Sequence, residues 1–567
     1  MELLIKHARI VDGTGAPWFR GCIGIRDDKI AHVGEIVPNG ATVIDAQDQI
    51  VSPGFIDMHG HSDYLILGNP TADSKVLQGI TTEVAGTCGY SCAPIGENFF
   101  HEWWVEDIRK RFTVTDKATG VEMLNRHGIC LSWTQLSQYL DTLDTTKPSL
   151  NYLTFMGHVA LRVGVTGQFE KKPSEAELLE MRQILRDGMR AGALGFSTES
   201  GTHRKMELPD EELLHFFAET ASLGGRVAYH IKDYGDKALE ELEHSLDLVS
   251  RAGVKTILSH LNVNGRENWG KAVYMMECVE KARMSGREIW ADVMPCPGGG
   301  EALFYTPRAT DLLPQWVAQM EPDEIRNTLK DPAKREQIRL QLKEGQASDF
   351  YYVPGTGETE AYGRGPLADA HWPYYVRIQR SDVPGVEGRT VRQIADRTGE
   401  SPLDTLFRII QQDPYTYKFI SKESQEDRDV FICHPLTGFG TDGGLVNAIR
   451  RPGIANPTLY SVFPYVLKEY VREKQMIPLE EAIRKMTSLG MAAHGIRDRG
   501  ILARGYHADI VVFDPDTIGP RIDYERPMPM PPCTGIDTVI VNGEVTVREG
   551  AHLGTRAGRV LRHACSS

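Results

Sequence analysis

Apolar positions in the middle of the chain come in short runs separated by amphipathic stretches, and the runs read as strands. They are Gly54–Met58, Thr81–Ala85, Asn151–Met156, Ala193–Ser197, Arg226–His230, Val254–His260 and Glu288–Val293, with an eighth ending at Thr441-Asp442. The stretches between them carry helix signals. Ser174 to Ala191 opens on Ser174-Glu-Ala-Glu, acidic in its first turn, and closes on Gly192. Pro209 to Leu223 starts with Pro-Asp-Glu-Glu and stops at Gly224-Gly225. Strand–helix alternation of this length predicts an α/β fold with a parallel sheet, and eight repeats predict a closed (β/α)8 barrel of the TIM type. Periodicity alone does not separate barrel from open sheet.

The two ends of the chain show a different pattern, β-rich runs broken by tight turns. Leu3 to Val11 is followed by Asp12-Gly-Thr-Gly-Ala, and the runs Cys22 to Ile25 and Ile30 to Val33 flank the polar turn Arg26-Asp-Asp-Lys. Near the other end, Ala508-Asp-Ile-Val-Val-Phe-Asp precedes Thr538-Val-Ile-Val-Asn-Gly-Glu-Val, where Asn542-Gly543 signals a hairpin. Residues 1–50 and 495–567 are therefore expected to form one small β-sandwich domain built from both termini, with the barrel over 51–494. Two stretches break the barrel rhythm, one near 98–148 with Phe99-Phe-His-Glu-Trp-Trp, the other near 300–430 and rich in Pro, Gly, Arg and Tyr. Long insertions after barrel strands sit on the catalytic face, which makes both lid or pocket candidates. The plainer alternative is a peripheral helical decoration.

Composition narrows the class. At 567 residues, 41% hydrophobic and 25% charged, the chain can bury a large core without disulfide or cofactor staples. A formal charge of −14 argues against nucleic acid or an anionic membrane as the main partner. The nine cysteines are scattered and odd in number, as expected in a reducing compartment. With no secretory leader pattern at the N-terminus and no window of about 18 uninterrupted apolar residues, no membrane span and a cytoplasmic location are expected. Oligomerisation is left open.

The chemistry-bearing residues lie at the ends of the predicted strands. His59-Gly-His61 closes the first run, and side chains at i and i+2 point the same way, so both imidazoles can reach one ion. A bare His-x-His is weak, but barrel enzymes place ligands at strand ends. Cys88 follows the second run in Ala85-Gly-Thr-Cys-Gly-Tyr-Ser-Cys, among glycines that allow close backbone approach. A thiolate ligates zinc and could bridge two ions, although a cysteine in a Gly-rich turn is more often structural, and Cys92 competes for the role. His230 and His260 end successive runs on the same rim. Asp442, in Gly440-Thr-Asp-Gly-Gly, would close the ring with the carboxylate that metal-assisted hydrolysis needs to move a proton. His215, His244 and His507 sit on helical or surface-like segments and read as structural.

These motifs resemble the metal-dependent amidohydrolase superfamily and, within it, the N-acyl-D-amino-acid deacylases (D-aminoacylases). The general signatures are Ala8-Arg-Ile-Val-Asp-Gly-Thr-Gly, the block Pro53 to His61, and Arg499-Gly-Ile-Leu-Ala-Arg-Gly-Tyr-His-Ala-Asp. More specific are Gly86-Thr-Cys-Gly-Tyr-Ser, Met156-Gly-His-Val-Ala-Leu-Arg, Gly192-Ala-Leu-Gly-Phe-Ser-Thr and Gly440-Thr-Asp-Gly. The cysteine is the telling feature, since many superfamily members bridge their metals with a carboxylated lysine. The resemblance implies a zinc enzyme cleaving a small-molecule amide, with one or two Zn2+ per subunit. It implies that Cys88 and His230 hold a tight zinc with His260 nearby, that His59 and His61 form a second, weaker or vacant site, and that Asp442 is the acid/base. His158 receives no role. Where the family has Asp-x-Tyr-Pro-Tyr and His-His-Lys, this chain has Asp292-Val-Met-Pro-Cys296 and His260-Leu-Asn262. Lys232 and the pair Arg450-Arg451 are candidates to replace those anchors for a substrate carboxylate, with plain surface cations as the alternative. Cyclic amide hydrolysis of the hydantoinase and dihydroorotase kind is the rival chemistry, and Cys88 in place of the lysine counts against it.

Overall fold

The computed structural model describes residues 2–35, 42–94, 133–168, 171–198, 208–297, 309–318, 320–343, 350–352, 359–361, 370–445, 458–521 and 533–565. Within them the predicted apolar runs all contain strands. The barrel comprises β1 (Phe55–Asp57), β2 (Ile80–Ala85), β3 (Asn151–Thr154, continued past Phe155 by Met156–Gly157), β4 (Gly195–Ser197), β5 (Arg226–Tyr229), β6 (Lys255–Leu258), β7 (Ile289–Val293) and β8 (Thr437–Phe439). Neighbours from β1 to β8 pair in parallel in sequence order. The last gap is bridged by the chain just beyond the strands. Met58 N–H donates to Phe439 O at 3.1 Å, Asp442 N–H to His59 O at 2.8 Å and His61 N–H to Gly443 O at 3.1 Å. The ring is closed, which periodicity had left undecided.

Alternation assigns the two faces of the strands. Ile56, Met58, Val84, Leu153, Phe155, Leu194, Ala228 and Ile257 form one cluster, joined by Leu489, Met491 and Ala493 of the helix Ser488–Ala493. Phe55, Ile80, Phe196 and Val227 pack outward against the surrounding helices. The helix Glu175–Ala191 forms where its capping box allows: the Ser174 hydroxyl accepts from Glu177 N–H, and Gly192 ends it at φ +127°.

The terminal strands share one nine-stranded sheet, in which Ile50–Pro53 lies antiparallel to Ile510–Phe513. Its two faces have different neighbours. Ile510, Val512 and Ile540 join Ile5, Ile10 and Ile23 in the core of the small β-sandwich domain. Val511, Phe513 and Val539 belong to the barrel's outer core. Burial of both faces explains why Ile510-Val-Val-Phe is continuously apolar rather than alternating. Beyond the sheet the chain returns to the barrel, where Tyr152 N–H donates to Arg559 O and Leu561 N–H to Tyr152 O.

The second insertion has a core of its own, including Trp372, Ile378, Ile394 and Phe407. It combines helices such as Pro322–Lys330 and Pro402–Gln412 with a sheet of Val376–Arg380, Arg389–Thr390 and Tyr417–Ile420, so it is more than a helical decoration. It rests on the loop that leaves β6. Arg266 N–H donates to Tyr375 Oη at 2.8 Å, and the Trp269 indole donates to Lys422 O at 2.9 Å. Of the first insertion, residues 98–132 lie outside the described residues, and the remainder holds the helix Leu136–Thr146. Among the described residues no helix is long and apolar enough to cross a membrane.

Gly195 shows how tightly the barrel is built. It sits in β4 at φ +148°, and a Cβ there would lie 2.0 Å from Arg226 O of β5. Gly195→Ala is expected to destabilise the protein by at least about 2 kcal/mol in denaturant unfolding. Gly253→Ala, at φ +64° with open space around it, should cost only about 1 kcal/mol. Equal stabilities of the two variants would contradict this account.

Candidate metal centre

The rim residues are held by features that bring backbone close to backbone. Between His59 and His61, a Cβ on Gly60 would lie 2.1 Å from Glu83 Oε1, so only glycine lets β1 end against β2 in this way. The Cys88 loop is pinned at several points. Gly86 N–H donates to Asp63 Oδ1 (3.0 Å), Thr87 Oγ1–H to Gly60 O (3.0 Å), Gly89 N–H to Ser197 Oγ (3.1 Å) and Val159 N–H to Gly89 O (2.9 Å). Cys88, His260 and Asp442 all adopt left-handed backbone, with φ of +50°, +33° and +46°. Such conformations cost about 1–3 kcal/mol each in non-glycine residues and persist where surrounding structure over-determines them. Here His260 N–H donates to Asp292 Oδ1 at 2.8 Å and Asp442 N–H to His59 O at 2.8 Å.

These constraints gather the predicted residues around one sulfur. Cys88 Sγ lies 3.2 Å from His59 Nε2, 3.1 Å from His260 Nε2 and 3.3 Å from His230 Nδ1. Asp442 Oδ1 is 3.0 Å from His61 Nε2 and 3.5 Å from His59 Nε2. Donor atoms of His59, Cys88, His260 and Asp442 all fall within 4.8 Å of one another, and all four residues are buried. His61 and His230 are half-buried at its edge. Cys92 instead lies in the apolar outer core, where burial pushes its thiol well above the usual range. Lys232 is exposed, and Arg450 and Arg451 lie outside the described residues. His158 is committed elsewhere: its Nε2 meets Glu212 at 2.8 Å, and Glu212 also receives Arg162 at 2.7 Å. His244 meets Asp210 at 3.0 Å on the surface.

Two partners escaped the sequence reading. Asp292, at the end of β7, sits 3.2 Å from His59 Nδ1 as well as under His260. Tyr234 Oη is 2.9 Å from His260 Nδ1. The signal for Asp292 was the same strand-end position that marked the histidines. Tyr234 lies four residues past His230, in a loop with no pattern to single it out. Both fix a ring so that its Nε2 faces the sulfur, as outer hydrogen bonds do around metal-binding histidines.

Burial opposes a charged His59, but Asp292 and Cys88 outweigh it and hold its pKa well above the ordinary histidine value. Burial lowers His260 to about 4 and, with the neighbouring His260, pushes His230 well down. Burial would raise Asp442, yet the hydrogen bond from His61 and the nearby imidazoles bring its carboxyl far below the usual range. Neutral His230 and His260 and an ionised Asp442 suit metal ligation, whereas His59 would have to give up its proton when a metal binds. Ligands on a tetrahedral zinc lie about 3.3–3.8 Å apart given its usual bond lengths, and the contacts of Cys88 with three imidazoles approach that spacing. A sulfur, nitrogen and oxygen donor set of this kind suits zinc rather than magnesium or calcium.

Comparison with known proteins agrees with this chemistry. The sequence profile of the amidohydrolase family matches residues 42–288 and 361–547. The chain is 28% identical to an N-acyl-D-glutamate deacylase of Alcaligenes xylosoxydans xylosoxydans, covering 100% of this chain and 97% of the relative. It is 27% identical to a D-aminoacylase of the same organism, covering 99% and 97%. The crystal structure of N-acyl-D-glutamate deacylase from Bordetella bronchiseptica, complexed with zinc and a phosphonate mimic of the tetrahedral intermediate, superposes with a TM-score of 0.69 at 27% identity, covering 99% of this chain and 100% of that one.

The close fit of the Cys88 loop can be tested from the β3 side. A Cβ on Gly157 would lie 2.2 Å from Gly89 O and 2.4 Å from Gly89 C, although the φ of −80° at Gly157 suits alanine. Gly157→Ala is therefore expected to fold but to bind zinc at least about tenfold more weakly in chelator competition. Wild-type affinity would show that the loop yields without moving the sulfur.

Proposed function

The chain belongs to the amidohydrolase family, and from that premise we propose that it is a zinc-dependent hydrolase that removes the acyl group from an N-acyl-D-amino acid. The observation that carries the reading is the position of Cys88, its sulfur within 3.3 Å of three imidazole nitrogens. The relatives named as D-aminoacylase and N-acyl-D-glutamate deacylase match nearly end to end, which supports a linear N-acyl amino acid as the substrate class.

Cys88, His230 and His260 would hold the tighter zinc. His59 and His61 would hold a second, weaker one, and Asp442 Oδ1 lies 3.0 Å from His61 Nε2. Zinc, when bound, supplies a Lewis acid that acidifies water and polarises the amide carbonyl. Asp442 then takes a proton from the attacking water and passes it to the departing nitrogen, so that one water and one amide become a carboxylate and a D-amino acid. Asp292 and Tyr234 keep the His59 and His260 rings turned towards the sulfur. Lys232, Arg450 and Arg451 are the cations offered to the substrate carboxylate. Among the described residues no cysteine forms a disulfide, which supports a cytoplasmic location.

Metal content and turnover should be measured on one preparation each of wild type, Cys88→Ala and Asp442→Asn, over a panel of N-acetyl D- and L-amino acids that includes glutamate and aspartate. Cys88→Ala is expected to lose zinc and turnover together. Asp442→Asn should keep zinc while kcat falls about 10³-fold, the usual scale of a lost acid/base. Zinc-loaded wild type that leaves every N-acyl amino acid intact would sink the deacylase assignment.

A further inference from the structure

Outward-facing positions on parallel barrel strands are ordinarily apolar, because helices cover them. In β1 and β2 this rule is broken twice, side by side. Phe55 and Asp57 share the outer face of β1, and Asp57 is in register with Glu83 on β2. Both carboxylates are fully buried, and so is Lys75, from the helix Asp73–Val76 that joins the two strands. Lys75 Nζ bonds Asp57 Oδ2 and lies 3.4 Å from Glu83 Oε1. Its remaining bonds go to the far side of the barrel seam, to Thr441 Oγ1 at 2.6 Å and Gly443 O at 2.8 Å. Asp57 completes the link: its Oδ1 accepts Thr441 N–H at 2.9 Å and His59 N–H at 3.3 Å, and its Oδ2 accepts the Thr441 hydroxyl at 2.7 Å.

Thr441 and Gly443 are the two neighbours of Asp442, whose backbone is left-handed. Gly443 O also accepts His61 N–H at 3.1 Å. One buried ion pair therefore touches the backbone on both sides of Asp442 and the backbone amide of His59. We propose that Lys75 is a positioning residue that, with Asp57, sets the placement of Asp442 against His59 and His61. Buried ion pairs contribute little net stability against apolar replacements and are best attested as devices that fix one arrangement, which fits a pair located at the seam carrying the metal centre. The inference rests on the deacylase reading for its kinetic consequence, but its structural consequence can be read without turnover.

The test uses full-length Lys75→Met and Thr441→Val, the second removing only the hydroxyl that Lys75 and Asp57 share. Val512→Ala, which opens the core of the small domain, serves as a destabilised control away from the rim. Each protein is loaded with cobalt(II), and its visible absorption spectrum, thermal midpoint, kcat and KM are measured. Both seam variants should bind cobalt at wild-type stoichiometry with an altered ligand-field spectrum. Their kcat should fall about tenfold for Thr441→Val and about 100-fold for Lys75→Met, the scale expected of a small misplacement, with KM within about threefold of wild type. Val512→Ala should melt earlier but keep the wild-type spectrum and kcat. Seam variants that melt earlier yet keep both spectrum and kcat would overturn the proposal and leave Lys75 a purely structural ion. If Lys75→Met does not fold, Thr441→Val alone decides. If wild type hydrolyses no N-acyl amino acid, the deacylase reading fails, and the cobalt spectra still decide on Lys75.

Discussion

The seam between β1 and β8 brings residues 58–61 into hydrogen-bonding contact with residues 439–443, and the candidate metal centre is a consequence of that contact. His59 and His61 come from the first barrel strand and Asp442 from the last, so only ring closure places Asp442 Oδ1 3.0 Å from His61 Nε2. Cys88, His230 and His260 then arrive from strands between them, each delivered a short distance past a strand end. The parallel barrel supplies the convergence; the candidate ligands need only follow the strands.

Convergence alone does not give a tight cluster. At three of the positions, Cys88, His260 and Asp442, the chain turns through left-handed backbone that these residue types rarely adopt. With these turns in place, the donor atoms of all three residues come within 4.8 Å of one another. What holds the turns is a set of short links around them: Asp292 below His260, the His59 carbonyl below Asp442, and Ser197 beside Cys88. The barrel and the centre stabilise different things, and the strain at the rim is carried by hydrogen bonds that reach across neighbouring strands.

Much of this was legible in the chain. The apolar runs located the strands because a covered parallel sheet demands continuous apolar sequence, and the candidate ligands stood out because they directly follow those runs. Asn542-Gly543 correctly marked the hairpin between Ile536–Val541 and Glu544–Arg548. Other features were hidden for physical reasons. The left-handed turns fall on Cys88, His260 and Asp442 themselves, so residue type does not announce them. The separate core of the second insertion joins Val376–Arg380 to Tyr417–Ile420 across two helices, a pairing that local pattern cannot reveal. Asp57 in Phe55-Ile-Asp-Met and Glu83 in Thr81-Thr-Glu-Val-Ala were visible as charges inside apolar strands, but their partner Lys75 becomes evident only in space. The anchor for a substrate carboxylate stays at the level of proposal, with Lys232 exposed on the rim.

The pairing of Ile50–Pro53 with Ile510–Phe513 also bears on how the molecule is made. A ribosome releases the first of these strands hundreds of residues before the second. Until then Ile50–Pro53 lacks one of its neighbours and the outer face of β1 lacks Phe513, which packs against Phe55 at a centroid distance of 6.4 Å. Contacts between such distant segments form slowly, because a long loop must close before they contribute. The small domain is therefore completed last, and the nascent barrel waits with an uncovered apolar edge, the condition in which chains of this size depend on chaperones to stay clear of aggregation.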